Sequence, residues 1–226
     1  MQNLRRVRSF VLRSGRVTAG QERALRELWP RVGVEFHGVP LDLDRVFGRR
    51  APRCLEIGFG VGEVIGALAE AHPERDYLGI EVHRPGVGAL LLRAEKSALT
   101  NLRVVCHDAV EVVEAGIAAG SLDEILVFFP DPWHKKRHHK RRLIEAGFVH
   151  ALAQRLSPHG ILRLATDWED YAAQMVSVCN AEPLLASLSA AGSFVPRPDF
   201  RPATRFERRG ERLGHGTWDL AYARRP

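Results

Sequence analysis

The feature that most constrains this 226-residue chain is an alternation that begins near residue 53. Short apolar runs of strand length take turns with segments of helical period. Residues 54–57, 77–82, 102–106, 125–129 and 160–165 read as strands, and 63–71, 85–98, 110–118, 141–156 and 168–179 read as helices. The run 125–129 is apolar at every position, as a strand covered on both faces must be. The segment 141–156 keeps Ile144, Phe148, Leu152 and Leu156 on one stripe. Strands that alternate with helices must run parallel through crossover connections. The predicted fold is therefore α/β, an open, mostly parallel sheet with helices on both faces.

The right-handed crossover rule makes that sheet Rossmann-like. Residues 181–212, rich in proline and arginine, read as mostly loop, and 216–223 read as a last strand. At the other end, residues 1–17 hold Arg5, Arg6, Arg8, Arg13 and Arg16 and no acid. They cannot build a core, so they read as a basic flexible arm, which either touches RNA or is a disordered tail. Thr18-Ala19-Gly20-Gln21 is a capping-box pattern that starts a helix reaching about Trp29, ahead of Pro30. Residues 30–50 read as irregular. The expected organisation is an arm over 1–17 and one domain over 18–226.

Charge narrows the partner. Net charge is +6 and the isoelectric point is near 9.7, which favours an anionic partner. Of 33 basic residues only Lys96, Lys135, Lys136 and Lys140 are lysine. The arginine excess reads either as biased codon usage or as equipment for bidentate phosphate contacts. Cys54, Cys106 and Cys179 are odd in number and far apart, so neither a disulfide framework nor a zinc site is expected. There is no apolar leader and no run of membrane-spanning length, so a cytoplasmic location and no membrane partner are expected.

Candidate chemistry sits where the strands end. Leu55-Glu56-Ile57-Gly58-Phe59-Gly60-Val61-Gly62 follows the first strand. Glycines there let a ligand approach the backbone. The dinucleotide fingerprint needs a small residue at position 63, and this chain has Glu63, a poor neighbour for a diphosphate. The pattern E-x-G-x-G-x-G instead resembles the first motif of Rossmann-like, class I methyltransferases that use S-adenosylmethionine. Glu81 ends the second strand, 19 residues beyond Gly62, where a carboxylate can accept from both ribose hydroxyls of an adenosine. Asp108 follows the third strand and reads either as an acceptor for the adenine amino group or as a helix N-cap.

Pro130-Asp131-Pro132-Trp133 stops the fourth strand. Asp131 can hold a base edge and Trp133 can stack on a base; the other reading is a rigid turn with a packed tryptophan. Nine consecutive basic residues, 134–142, follow. Between a core strand and an amphipathic helix they are expected to be structured or ordered by binding, and they read either as a seat for phosphates or as a solvated face. His134 and His138 lack the intervening glutamate of a zinc helix, and no metal is expected. Asp167, in Ala165-Thr166-Asp167-Trp168, reads as an N-cap, a pocket acid, or both.

Together these segments resemble the bacterial tRNA (guanine-N7-)-methyltransferase family over nearly the whole chain. The resemblance is carried by Arg8-Ser9-Phe10-Val11, the glycine loop, and Gly79-Ile80-Glu81-Val82-His83-Arg84-Pro85-Gly86-Val87-Gly88. It continues through Phe128-Phe129-Pro130-Asp131-Pro132-Trp133-His134-Lys135-Lys136-Arg137-His138, Ala165-Thr166-Asp167-Trp168-Glu169 and the signature over 204–220. It implies that Glu56, Gly58, Gly60, Glu81, Asp108 and Asp131 bind S-adenosylmethionine or line the active site, with Asp131 catalytic. It implies substrate contacts from Lys135, Asp167, Thr204, Arg205, Phe206 and Glu207. It also implies tRNA contacts from Arg137, His138, His139, Lys140, Arg141 and Arg142. The implied reaction methylates N7 of a guanine in the tRNA variable loop, position 46 in tRNA numbering. Arg205 and Arg163 depart from the lysine and histidine the family pattern leads one to expect. The alternatives are a same-fold methyltransferase on another RNA, such as ribosomal RNA, and a non-catalytic RNA-binding protein. A nicotinamide dehydrogenase is disfavoured by Glu63 and the cationic tract. Oligomeric state stays open, with monomer favoured.

Overall fold

The computed structural model describes residues 8–11, 15–201 and 216–226. Helix α1 (Ala19–Glu27) begins with the expected capping box. The Thr18 hydroxyl accepts from the Gln21 N–H at 3.3 Å, and the Gln21 side chain accepts from the Thr18 N–H at 2.9 Å. The Gln21 amide also donates to the Pro85 carbonyl at 3.0 Å, fixing α1 across the start of a later helix. Pro30 does not simply end this segment. It lies in the first turn of a separate short helix, α2 (Trp29–Val32), where its missing N–H costs nothing. Residues 30–50 are not wholly irregular either. Helix α3 (Leu43–Phe47) is capped by Asp42 and stopped by Gly48 at φ +71°.

The alternating region follows in order as β1 (Arg53–Ile57), α4 (Glu63–Ala71), β2 (Asp76–Ile80), α5 (Arg84–Lys96) and β3 (Leu102–Val105). Helix α6 (Ala109–Glu111) continues into a wider turn over Val112–Gly116, and β4 (Leu122–Phe128) comes next. The predicted helix over 141–156 is corrected. Lys136–Arg141 forms a tight 3₁₀ segment, the chain extends through Arg142, and α7 covers only Ala146–Arg155. Like charges three and four apart repel on an α-helix, which disfavours carrying the basic run into α7. Ile144 is buried but lies outside the helix, and Leu156 opens β5 (Leu156–Thr166). Helix α8 (Glu169–Ala181), β6 (Leu185–Ser187) and β7 (Trp218–Arg224) complete the order; β6 was not expected.

Among the described residues, seven strands form one sheet in the order β3-β2-β1-β4-β5-β7-β6. Strands β1 to β5 are parallel, and β7 is antiparallel to both β5 and β6. Side chains alternate across β1. Leu55 and Ile57 join Phe148, Leu152, Tyr171 and Met175 on one face. Cys54 joins Ile65, Leu68, Leu90 and Leu91 on the other. Each buried Leu, Ile, Phe or Met among these contributes roughly 1.5–3 kcal/mol, so the two apolar layers hold the sheet. The solvent-screened Arg23–Glu95 pair between α1 and α5 adds little by comparison. Strand order reverses between β1 and β4, which opens a crevice above their C-terminal ends. Among the described residues, no helix is long and apolar enough to cross a membrane.

Candidate active site at the strand ends

The loop after β1 is built by glycine. Gly58 and Gly60 have φ of +71° and +59°, and a Cβ added to either would meet nothing within 4 Å. They keep open a space that side chains would fill. Glu56, in β1 two residues before Gly58, is 4% exposed, and its Oε2 is buried with no hydrogen-bond donor among the described residues. Burial pushes its carboxyl up to about 8; a hydrogen bond from the Ile65 N–H offsets part of that, and the nearby Glu81 adds to it. An orphaned buried acceptor next in the chain to an open glycine loop fits a ligand that brings a cation or a donor. Glu63 opens α4 at the place where a dinucleotide would set its diphosphate.

Glu81 is also buried, and three backbone N–H groups orient it. Oε2 accepts from Gly60 at 2.9 Å, and Oε1 accepts from Val82 at 2.7 Å and His83 at 3.0 Å. A carboxylate has about four lone-pair sites, so it keeps capacity for one further donor. Asp108 does serve as an N-cap, accepting from the Val110 N–H at 3.0 Å. It also lines a cleft of about 200 Å³ with Arg8, Phe10, Val82, Cys106 and His107. That volume is below the 300–1,000 Å³ of a whole ligand site, so it suits one end of a larger ligand. Arg8 and Phe10 bring the N-terminal arm onto this cleft. Val82, two residues beyond β2, and Cys106, directly after β3, are cleft residues that the sequence alone does not single out.

The turn at the end of β4 carries two residues in left-handed backbone, Phe129 at φ +53° and Trp133 at φ +49°. Such positions cost about 1–3 kcal/mol each and persist only where their surroundings fix them. Between them Asp131 is exposed. Trp133 is packed rather than presented as a bare stacking surface. Its indole N–H donates to the Ser9 carbonyl at 3.0 Å, the Arg141 guanidinium lies 5.1 Å over its ring, and His138 meets it edge-on at 6.0 Å. Asp167 is partly buried after β5 and does not cap α8, whose N-cap is Trp168 with no side-chain cap; the Trp168 N–H donates to the Thr166 hydroxyl at 3.3 Å.

The basic tract divides in two. Lys135, Lys136, Arg137 and Lys140 are exposed, and His138, His139 and Arg141 are half-buried. His138 has its pKa lowered by desolvation and then by Arg137, Arg141, Lys135 and Lys140, so it stays neutral near pH 7. Arg142 departs from the expected set of RNA contacts. Its side chain is 2% exposed. It donates to the Pro132 carbonyl at 2.9 Å, Gln174 Oε1 at 2.6 Å and Asp170 Oδ2 at 2.6 Å, and it stacks 4.7 Å over Tyr171. It holds Asp170 below the usual carboxylate range. Arg142 therefore braces the turn from inside, a role that a run of basic letters does not reveal. Arg163 reaches Glu124 at 2.8 Å and lies over Phe200. Thr204, Arg205, Phe206 and Glu207 lie outside the described residues.

Thus the ends of β1 to β5 bring Glu56, Gly58, Gly60, Glu81, Asp108, Asp131 and Asp167 to one edge of the sheet, with exposed cations beside Asp131. A family model described as a putative methyltransferase matches residues 50–220. The chain is 59% identical over 220 residues to the tRNA (guanine-N(7)-)-methyltransferase of Thiobacillus denitrificans, covering 97% of this chain and 96% of that one. It is 57% identical over 217 residues to the one from Leifsonia xyli subsp. xyli, covering 96% and 95%. The chain belongs to the tRNA (guanine-N(7)-)-methyltransferase family. Among solved structures, the 16S rRNA methyltransferase KamB matches with a TM-score of 0.60 at 15% identity, covering 87% of this chain and 99% of that one. A 16S rRNA (adenine(1408)-N(1))-methyltransferase from Catenulisporales acidiphilia, solved with cosubstrate SAM, gives 0.54 at 15% identity, covering 85% and 93%. At that identity the likeness is one of fold, and it agrees with the Rossmann-like reading of the alternation.

Proposed function

We propose that this protein methylates N7 of a guanine in the variable loop of tRNA, at position 46 in tRNA numbering, with S-adenosylmethionine as donor. The observation that supports the donor site is the orphaned buried oxygen of Glu56, two residues before the open Gly58–Gly60 loop. We assign Glu56 to the cationic amino group of the donor, Glu81 to its ribose and Asp108 to its adenine end. When bound, S-adenosylmethionine supplies an electrophilic methyl group on a sulfonium.

Guanine N7 carries a free lone pair, so the protein needs no base to deprotonate it. Its task is alignment and exclusion of water. We assign Asp131 to the guanine, where its carboxylate holds the base or balances the positive charge the ring gains in transfer. Lys135, Asp167 and residues 204–207 are assigned to the substrate nucleotide. Lys136, Arg137, His138, His139, Lys140 and Arg141 are assigned to tRNA, with the exposed Lys136, Arg137 and Lys140 complementing the charge of its phosphates. We read 1–17 as an arm and 18–226 as one domain, with a monomer favoured, acting in the cytoplasm where tRNA is found.

The test is transfer of labelled methyl from S-adenosylmethionine to unmodified tRNA, followed by nucleoside analysis and mapping. Label as 7-methylguanosine confined to the variable loop is the expected result. Label in another nucleoside or at another site overturns the specificity. No label, with the donor still bound, points to another RNA; no donor binding at all favours a non-catalytic RNA-binding protein.

A further inference from the structure

The Asp131 turn is held from two sides, and one of its supports comes from residues far away in sequence. Arg201 is fully buried and Asp219 is 5% exposed. The Arg201 Nη2 donates to Asp219 Oδ2 at 2.8 Å. The same guanidinium lies 5.5 Å over the ring of Phe128 and 5.3 Å over that of Phe129. Asp219, in β7, stands opposite Ala165 of β5. The Ala165 carbonyl in turn accepts from the Phe129 N–H at 2.8 Å. These contacts close a ring from Arg201 to Asp219, through the sheet to Ala165, to Phe129 and back to Arg201. Its business end is Phe129, the left-handed residue that swings the chain into Pro130 and Asp131.

We propose that the buried Arg201–Asp219 pair is a positioning device for the Asp131 turn, setting the direction in which β4 delivers that carboxylate. A buried ion pair is a poor means of adding stability, because desolvating two charges consumes most of what their attraction returns. A guanidinium is a good means of fixing geometry, because its planar fork binds an acid while its face covers two rings. The role assigned to the pair rests on the reading of Asp131 as an active-site residue.

The experiment is single-turnover methylation of tRNA by the full chain saturated with S-adenosylmethionine, comparing wild type, Arg201→Lys, and the double variant Arg201→Met with Asp219→Val. In single turnover the amplitude counts folded molecules and the rate constant reports how well they are arranged. The double variant removes both charges, so neither is left buried alone. The expected result is a rate constant lowered roughly 100-fold in the double variant, the loss that misplacing a catalytic group by about 1 Å brings. For Arg201→Lys, which keeps the charge but loses the planar face, the expected loss is roughly tenfold. Affinity for S-adenosylmethionine should stay within about twofold of wild type, because its assigned ligands lie on other strands.

Wild-type rate constants, whatever the amplitudes, would overturn the positioning role and leave a structural one. A parallel loss of S-adenosylmethionine affinity would overturn it as well, because the pair would then be acting on the whole domain. Should the double variant yield no folded protein, Arg201→Lys alone decides by the same rate constant. A wild-type chain that binds its donor but labels no tRNA would instead sink the functional reading, and the positioning role with it.

Discussion

Replacing Glu56 by Gln should remove a pH dependence that the pocket floor imposes on both folding and donor binding. The carboxyl titrates near 8 in the fold against 4.5 when unperturbed, chiefly because it is buried. At 1.36 kcal/mol per unit, the gap amounts to roughly 5 kcal/mol between its two protonation states. Between about pH 4.5 and 8 the unfolded chain has shed this proton and the folded chain keeps it. Unfolding then releases a proton, so the contribution to stability falls as pH rises through that window and levels off above it. Glu56→Gln should therefore gain on wild type progressively from pH 4.5 to 8. Binding runs the other way. At pH 6, about one molecule in 100 has Glu56 ionised by the same titration, so a donor whose amino group needs the carboxylate should bind wild type roughly 100-fold more weakly than at the plateau. The assay is calorimetric titration with S-adenosylmethionine between pH 5.5 and 7, where the ligand's own amino group stays protonated. Two buffers of different ionisation heat give the proton count. Wild type should release about one proton on binding at pH 6 and Glu56→Gln none. Equal pH slopes and equal proton counts in the two proteins would refute the pairing of Glu56 with the donor's cation.

Gly60→Ala should cost about 1 kcal/mol of stability, because its φ of +59° suits glycine, yet it should abolish most donor affinity by filling the cradle; thermal melts and the same titration separate the two effects. Asp131→Ala should lower kcat far more than tRNA affinity, and near-normal turnover would remove Asp131 from the chemistry. Removing Lys136 and Arg137 together should flatten the salt dependence of tRNA binding by roughly 0.7–0.9 log unit per lost phosphate contact, read from binding at several salt concentrations. Arg142→Met should destabilise the fold by roughly 2–4 kcal/mol in urea titration, because three hydrogen bonds, two of them to Pro132 and Gln174, lose their donor.

The alternation was legible because each strand is short and apolar and each long helix shows its period. Helix α3 and strand β6 were not, because five and three residues are too few to display either period. The acids at the strand ends were legible from position alone, since a parallel sheet delivers every such residue to the same edge. What the letters could not separate was inward from outward arginine. Arg141 and Arg142 are neighbours in one basic run, yet Arg141 covers Trp133 and Arg142 is drawn beneath the turn by Gln174, Asp170 and a carbonyl. Arg201 stands in a proline-rich stretch with no periodic signal, and its tertiary partners, among them Asp219 and two phenylalanine rings, give it a role. The sequence leaves Trp133 open to both a packed and a stacking role; its indole bond to Ser9, 124 residues away, depends on a long-range contact no local pattern encodes.

Strand β7 enters the sheet between β5 and β6 although it follows both in the chain. While a ribosome is still making residues ahead of 218, β5 has an unpaired edge and β6 has no neighbour to hydrogen-bond. An open edge of that kind invites other nascent chains to pair with it. Closing it means bringing together segments more than fifty residues apart, with the loop-closure cost paid before any pairing returns it. Asp219 arrives on that same strand, so the brace beneath Phe129 forms only at this step. Synthesis and completion of the site are thereby coupled: a chain released before about residue 224 would carry the donor loop and its acids but lack the strand that closes the sheet.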